Sequence, residues 1–403
     1  MKPLINSDIS SKEHFYKITV VGGGITGAIM VLLLKNSNLF DTKEIMWIRP
    51  KNTASNDLRT TFYNHSSFKL LSRLNILNKL KKADYSEVKE IKVFGKKNTS
   101  PLIWSSDGKS PLGTIIRNNI ILDSIIKELS DIKQSDSLVT NTTCDEFERT
   151  LYLKNKQSIK THLVISADGK NSRIRELLSI KTISRQTNHT AISGFLKVSE
   201  NHNLTAIQAF TKLGPVGLLP YDNKNIINFV FSVEKNRCKR IFKNNHPEIY
   251  LCNELNDFFF NIKLKFEPLN KISGVKSNIS TWPLDLKFIL DPTSERTILI
   301  GDAAHAIHPL AGQGLNLAIQ DCVSTLTSIE RSLKFGNDLG DTSILNNYKK
   351  QRLPKTTAMT AMTDFLFYGF TIDSYISETL LTKGMTALNK SNIKNIFKKI
   401  AAT

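Results

Sequence analysis

Cysteine is sparse in this 403-residue chain and carries no pattern: Cys144, Cys238, Cys252 and Cys322 show no C-x-x-C spacing. That excludes a disulfide framework and the usual zinc arrangements, so the four read as reduced, mostly structural thiols. Long hydrophobic runs are missing as well. The apolar stretch 25–34 is too short to cross a bilayer, and residues 1–16 are polar and mixed in charge, unlike a secretory signal, so an intracellular protein is expected. No repeat of solenoid type is visible. Acidic side chains are outnumbered, 36 against 55 basic, for a net charge of +19. Nucleic acid is the first partner such a charge suggests, but the lysines are spread along the chain and no nucleic-acid motif accompanies them, so no nucleic acid is expected. Asn, Lys and Ile are abundant, as an AT-rich genome would give, which accounts for part of the basic balance. Neither a Ser-His-Asp set nor a carboxylate pair stands out. His305 and His308 lie three apart near Asp302, yet no further ligands follow at metal-binding spacing, so no metal is expected.

Against these absences stand two dense motifs. Lys17 to Val21 reads as a short buried strand, Gly22-Gly23-Gly24-Ile25-Thr26-Gly27 follows at once, and Ala28 to Leu34 continues as an apolar helix. In this strand-turn-helix context Gly22 makes the tight turn, Gly24 lets the backbone approach a pyrophosphate, and Gly27 lets helix and strand pack closely. The fingerprint alone leaves NAD, NADP and FAD open. Far along the chain, Thr297 to Ile300 forms a strand that runs into Gly301-Asp302. A small-residue turn then delivers Gly312-Gln313-Gly314 to a helix carrying Leu315, Asn316 and Asp321. A carboxylate and several bare N–H groups at a helix start suit one extended ligand that bears hydroxyls and anionic groups, and FAD fits that description.

Between the two, Leu163 to Ala167 is an apolar strand ending in Asp168-Gly169, with Ser172, Arg173 and Arg175 behind it. A strand capped by an Asp-Gly turn explains that pattern without any ligand. The second strand, Ile45 to Ile48, ends at Arg49-Pro50-Lys51, where a dinucleotide fold normally offers an acid to the adenosine ribose. A guanidinium has only donors. Two readings stand open: another group holds the ribose and the grip on FAD is weaker, or the site suits a phosphorylated ligand such as NADP.

HPLAGQGLN, from His308 to Asn316, resembles the second FAD motif of the FAD-dependent aromatic hydroxylases (class A flavoprotein monooxygenases), in particular their ubiquinone-biosynthesis branch. The resemblance covers nearly the whole chain. Leu213 to Pro220 matches the segment passing the active site, Trp282-Pro283-Leu284 an aromatic-Pro-Leu strand end, and Tyr348, Arg352 and Thr363-Asp364 the C-terminal helical part. At Arg117, where the family suggests an acid, it weakens.

The resemblance implies an α/β fold: a Rossmann-like FAD domain of discontinuous segments (14–73, 111–184, 291–335), a β-rich substrate domain of two insertions (74–110, 185–290) and C-terminal helices (336–403). It implies Gly22, Gly24, Gly27, Arg59, Asp168, Gly169, Gly301, Asp302, Gly314, Leu315 and Asn316 at FAD. Arg59 would lie near the flavin and its phosphates, Asp168 near the pyrophosphate and Asp302 on the ribityl hydroxyls. His308, Pro309, Gly312 and Gln313 would lie beside the flavin. The activity implied is hydroxylation of a polyprenylated phenol in ubiquinone biosynthesis, with NAD(P)H as transient reductant and O₂ activated as a C4a-hydroperoxyflavin. The alternatives are a hydroxylase of a small soluble aromatic compound and a non-catalytic flavoprotein or scaffold subunit of a membrane biosynthetic complex. Ile393, Ile396, Phe397 and Ile400 share one face of a short basic helix, which suits peripheral contact with lipid headgroups as well as packing on its own domain. A bacterial cytoplasmic enzyme at the inner membrane, with a multi-enzyme ubiquinone-biosynthesis complex as a candidate partner, is the corresponding expectation.

Overall fold

The computed structural model describes residues 14–50, 59–95, 101–108, 110–221, 224–262, 264–269, 279–308 and 312–371. Its organising layer is a run of five parallel strands in the order Thr297–Leu299, Ser158–Ser166, His14–Val21, Ile45–Ile48, Lys133–Ser135. Parallel strands are covered on both faces, and these sequences show it: Ile45–Ile48 is buried at every position. Alternate side chains go to opposite sides. Ile18, Val20, Trp47, Leu163 and Ile165 pack with the helix Ile25–Asn36 and its neighbours. Val21, Met46, Ile48 and Val164 pack instead with Val139 and Leu151, from the antiparallel strands Val139–Cys144 and Arg149–Leu153.

A second sheet is mixed. The strands Ile279–Ile289, Thr182–Val198, Ile226–Glu234, Gly214–Pro220 and Thr205–Thr211 follow one another antiparallel, and Glu90–Phe94 joins parallel to the last, with Leu102–Ser105 beyond it. Strands from two distant stretches of sequence therefore share one sheet. Ile192, Leu196, Val216, Leu218, Phe229 and Phe231 point to one side of it and pack against the helices Lys235–Ile241 and Pro247–Phe258. Tyr85–Val88, which the sequence places with the first insertion, pairs instead with Gly113–Arg117 in a separate three-stranded sheet completed by Thr60–Asn64.

Two long helices close the described chain, Gln313–Lys334 and Thr342–Thr371. The second fixes itself to the parallel sheet through Tyr348, whose hydroxyl donates to the carbonyl of Leu299 at 2.9 Å. Among the described residues no helix is long and apolar enough to cross a membrane. The basic amphipathic segment 393–400 lies outside the described residues.

Candidate active site

Register brings the motifs together. Ile48 lies opposite Val21, Val21 opposite Ser166, and Ser166 opposite Leu299, so four neighbouring parallel strands end in one row. Arg49, Gly22, Ala167-Asp168 and Ile300-Gly301 leave the sheet side by side. The crevice beyond the carboxyl ends of such strands is where open α/β sheets bind ligands.

The glycine turn is built for close approach. Gly22 has φ +138°, and a Cβ there would fall 2.1 Å from the carbonyl oxygen of Ala167. A Cβ on Gly27 would fall 2.2 Å from the carbonyl oxygen of Gly22, so helix and turn touch through backbone alone. Gly24 is different: it is the N-cap of Ile25–Asn36, no side chain caps that helix, and a Cβ there would meet nothing within 4 Å. The first-turn N–H groups therefore face an open surface at the positive end of the helix.

In the distal motif, Gly301 is wedged between Thr26 of the first helix and Ala318 of the helix Gln313–Lys334. That helix starts at the N-cap Gly312, again without a side-chain cap, so Gly314, Leu315 and Asn316 occupy its first turn or just beyond. Asp302 presents an accessible side chain yet sits in a recess. Burial in the surrounding protein raises its pKa, against the opposing positive fields of His305, Arg59 and Lys170, which places those three basic groups around it. Arg59 also lies over the ring of Trp282, 5.8 Å from its centroid. Arg175, buried, donates to the carbonyls of Ala303 and Lys170 and so braces the Asp168 segment against the Asp302 loop.

Two of the expected cofactor-binding side chains are engaged within the protein. Asp168 accepts from the Ser166 hydroxyl and from the backbone N–H groups of Arg173 and Ile174, at the start of the short helix Arg173–Leu177. Asn316 accepts from the Asn64 N–H and donates to the carbonyls of Phe62 and Gly312, stapling its helix to the strand Thr60–Asn64. What each has left for a cofactor is mainly its own backbone. Arg49 reaches the same edge, its Cβ in contact range of Gly23, while Arg117 sits at the start of the helix Asn118–Glu128. Of the remaining expected residues, Gln313 opens its helix and Gly169 follows Asp168 with open space beside it. Pro309 lies outside the described residues.

The site's hidden support is Asp321. Its carboxylate has no exposure, and it accepts from the Gly301 N–H at 2.9 Å, from Nε2 of His305 at 2.5 Å and from Nε of Arg352 at 2.6 Å. Burial alone would raise its pKa. His305, Arg352 and the Gly301 N–H reverse this and hold it below the ordinary carboxylate value. His305 is thereby accounted for, with Nε2–H the donor, since an ionised carboxylate only accepts. Sequence reasoning noted Asp321 without pairing it. The available signal was a carboxylate in the same buried helix face as Leu317, Ala318 and Cys322, where a charge needs a partner.

His308 has the opposite environment. It is fully buried, and neither ring nitrogen has a hydrogen-bond partner among the described residues. Its ring stacks on Phe367, 3.8 Å between centroids, and Phe367 in turn takes an edge contact from His189 of the second sheet. Burial first, and the nearby His189 second, push the His308 pKa down to about 3, so the ring is neutral at physiological pH. The loop before the distal helix, the long C-terminal helix and the second sheet meet at these three rings.

Comparison with known proteins agrees with this geometry. A family profile described as FAD binding domain matches residues 16–363. The chain is 28% identical to a Dictyostelium discoideum protein named ubiquinone biosynthesis monooxygenase COQ6, mitochondrial, with 97% of this chain and 92% of that one covered. Its identity to the Homo sapiens protein of the same name is 24%, over 94% of this chain and 91% of that one. Among solved structures, Pseudomonas aeruginosa PqsL in complex with 2-aminobenzoylacetate superposes with a TM-score of 0.73 at 16% identity, over 89% of this chain and 97% of that one, a likeness of fold.

Two expected outcomes follow from the buried groups. Asp321→Asn leaves Arg352 buried without its counter-charge, and denaturant unfolding of the variant is expected to show a loss of about 3–5 kcal/mol; a loss under 1 kcal/mol would show that the ion pair carries no such weight. Because the folded pKa of Asp321 lies below its unfolded value, that contribution is full above about pH 4 and fades as pH falls through the folded pKa. For His308 the folded pKa is also the lower one, so stability is complete above about pH 6.5 and falls by up to about 1.4 kcal/mol per pH unit below it. His308→Leu should remove one proton's worth of that slope between pH 4.5 and 6.5 in urea unfolding, and an unchanged slope would assign the proton elsewhere.

Proposed function

We propose a function from the premise that this chain belongs to the FAD binding domain family: it is an FAD-dependent monooxygenase that hydroxylates the aromatic ring of a polyprenylated phenol in ubiquinone biosynthesis. The observation that carries the reading is the level row of strand ends, which sets two uncapped helix N-termini and the Arg59–Asp302 recess along one edge. This donor set suits an extended ligand with a diphosphate, a hydroxylated chain and an electron-poor ring system. The relatives' names support the pathway.

When bound, the cofactor supplies two-electron transfer from NAD(P)H and activation of O₂. The protein's part is binding, orientation and exclusion of water. N–H groups at the start of Ile25–Asn36 hold the diphosphate, with Gly24 leaving room for it. Asp302 accepts hydrogen bonds from the ribityl hydroxyls, and Arg59 balances negative charge beside it. N–H groups from Gly314 to Asn316 stabilise anionic charge on the reduced ring system. Arg175, Asp321 and Arg352 act behind them, holding the Gly301-Asp302 turn in place.

The second sheet supports an aromatic substrate. Its face opposite the helices carries the residues that alternate with the core positions, and they are small where they meet: Gly217 pairs with Val230, Val230 with Ser193 and Ser193 with Ser280. Beside that row, Ala191 lies opposite both Ser232 and Trp282. That row of mostly small side chains lies beside Trp282, and Arg59 over Trp282 connects it to the flavin side. A polyprenyl tail belongs in a bilayer, so peripheral attachment to an anionic membrane suits both the substrate and the net charge of +19.

The purified protein is expected to show oxidised-flavin absorption and to release FAD on denaturation. It should oxidise NAD(P)H faster when a prenylated phenol is added than with an unprenylated one. Equal stimulation by both would favour a soluble aromatic substrate, and none by either, in a flavin-loaded protein, would favour a non-catalytic subunit. Asp302→Ala should purify with little flavin; full occupancy would remove Asp302 from the ribityl role.

A further inference from the structure

Arg49 occupies the strand end where a carboxylate would serve the adenosine ribose, and its surroundings define a different kind of grip. Its backbone N–H donates to Ser135, which continues the sheet one strand outward. Its guanidinium lies over the Trp47 ring, 4.8 Å from the centroid, and Nη1 makes one long hydrogen bond, 3.4 Å, to Oε1 of Gln134. No carboxylate among the described residues pairs with it. Trp47 is fully buried and tied through Nε1 to the Gly22 carbonyl, so the platform under the guanidinium is fixed to the glycine turn itself. Gln134 is oriented too: its Nε2 donates to the carbonyl of Leu129 at 2.8 Å, which leaves Oε1 as the atom presented to Arg49.

A guanidinium carries five N–H donors in a planar fork, and here one is lightly used. Beside it stands one acceptor. A ribose diol needs both, since each hydroxyl donates and accepts. We propose that Arg49 and Gln134 together replace the single acid: Arg49 donates to one ribose oxygen, the Gln134 carbonyl accepts from the other hydroxyl, and the same fork takes a phosphate placed on that ribose. The adenosine end of the site is thus cationic and donor-rich, and it favours adenosine phosphorylated on the ribose over plain adenosine, whereas an acid there would repel it. This rests on the reading of the glycine turn as the FAD site.

The test uses the full-length protein stripped of flavin. FAD binding is followed by flavin fluorescence, and adenosine 2′,5′-bisphosphate is compared with adenosine 5′-monophosphate by calorimetry. The wild type is expected to bind the bisphosphate about tenfold more tightly or better, and Arg49→Ala to lose that preference and weaken FAD about tenfold, the size of one charge-assisted hydrogen bond. Arg49→Glu, which sets at this strand end the carboxylate that usually serves the ribose, should abolish the bisphosphate preference while still binding FAD, because it removes the donors and repels a phosphate on the ribose. Arg49→Lys, which keeps the charge and the fold but not the fork, should retain part of the preference. A bisphosphate preference that survives in Arg49→Glu, or none in a wild type that does bind FAD, overturns the role of Arg49 and leaves the flavin site standing. A wild type that binds none of the three ligands overturns both.

Discussion

A carboxylate without access to water has to be surrounded by donors, and in this protein that requirement at Asp321 fixes the geometry of the distal motif. Two segments supply the donors: the loop that holds the Gly301 turn and His305, and the long C-terminal helix with Arg352. Each donor is itself buried or in a turn that must be held, so none can leave without stranding a charge or an N–H. Arg352 adds a second bond to the Leu317 carbonyl, and Tyr348 from the same helix meets the Leu299 carbonyl at the end of the strand. The C-terminal helix is therefore part of the site's frame, though nothing in it need touch a cofactor.

From that frame the rest follows by register. Once Leu299 is held level with Ser166, the three turns after the strands must share an edge, and Arg175 closes the gap by reaching from one turn to the carbonyl of Ala303 in the next. The frame also reaches the second sheet. His305 and Ala306 pair with Phe288 and Lys287, so the segment that answers to Asp321 on one side is a strand of the second sheet on the other. Strain or disorder at Asp321 would be felt on both faces of the site.

Sequence made the periodic elements legible because their physics is local. The glycine fingerprint, the continuous apolar strands and the turn into Gln313–Lys334 depend on neighbours a few residues away, and they can be read from spacing. Side-chain pairings could not be read that way, whether near or far: that Asp168 caps Arg173–Leu177, that His305 answers Asp321, and that Asn316 staples Thr60–Asn64 from 252 residues away depend on how the turns are set in three dimensions. Nor could spacing say which sheet Tyr85–Val88 joins, since a short strand carries no mark of its partner. At His308 the sequence offered a histidine beside a proline, and only packing against Phe367 reveals a ring held neutral by burial.

The two ends of this row of strand ends are held to different degrees, and the difference has a physical origin. At the distal motif, the buried Asp321 carboxylate and its donors interlock the Gly301 turn, His305 and the C-terminal helix. At the other end, Arg49 is half-buried, held by one long hydrogen bond and a ring face. A partly solvated cation tolerates substitution at small cost, because water can replace what the protein withdraws. A buried carboxylate does not. The demand for fixed partners is therefore far stricter at Asp321 than at Arg49.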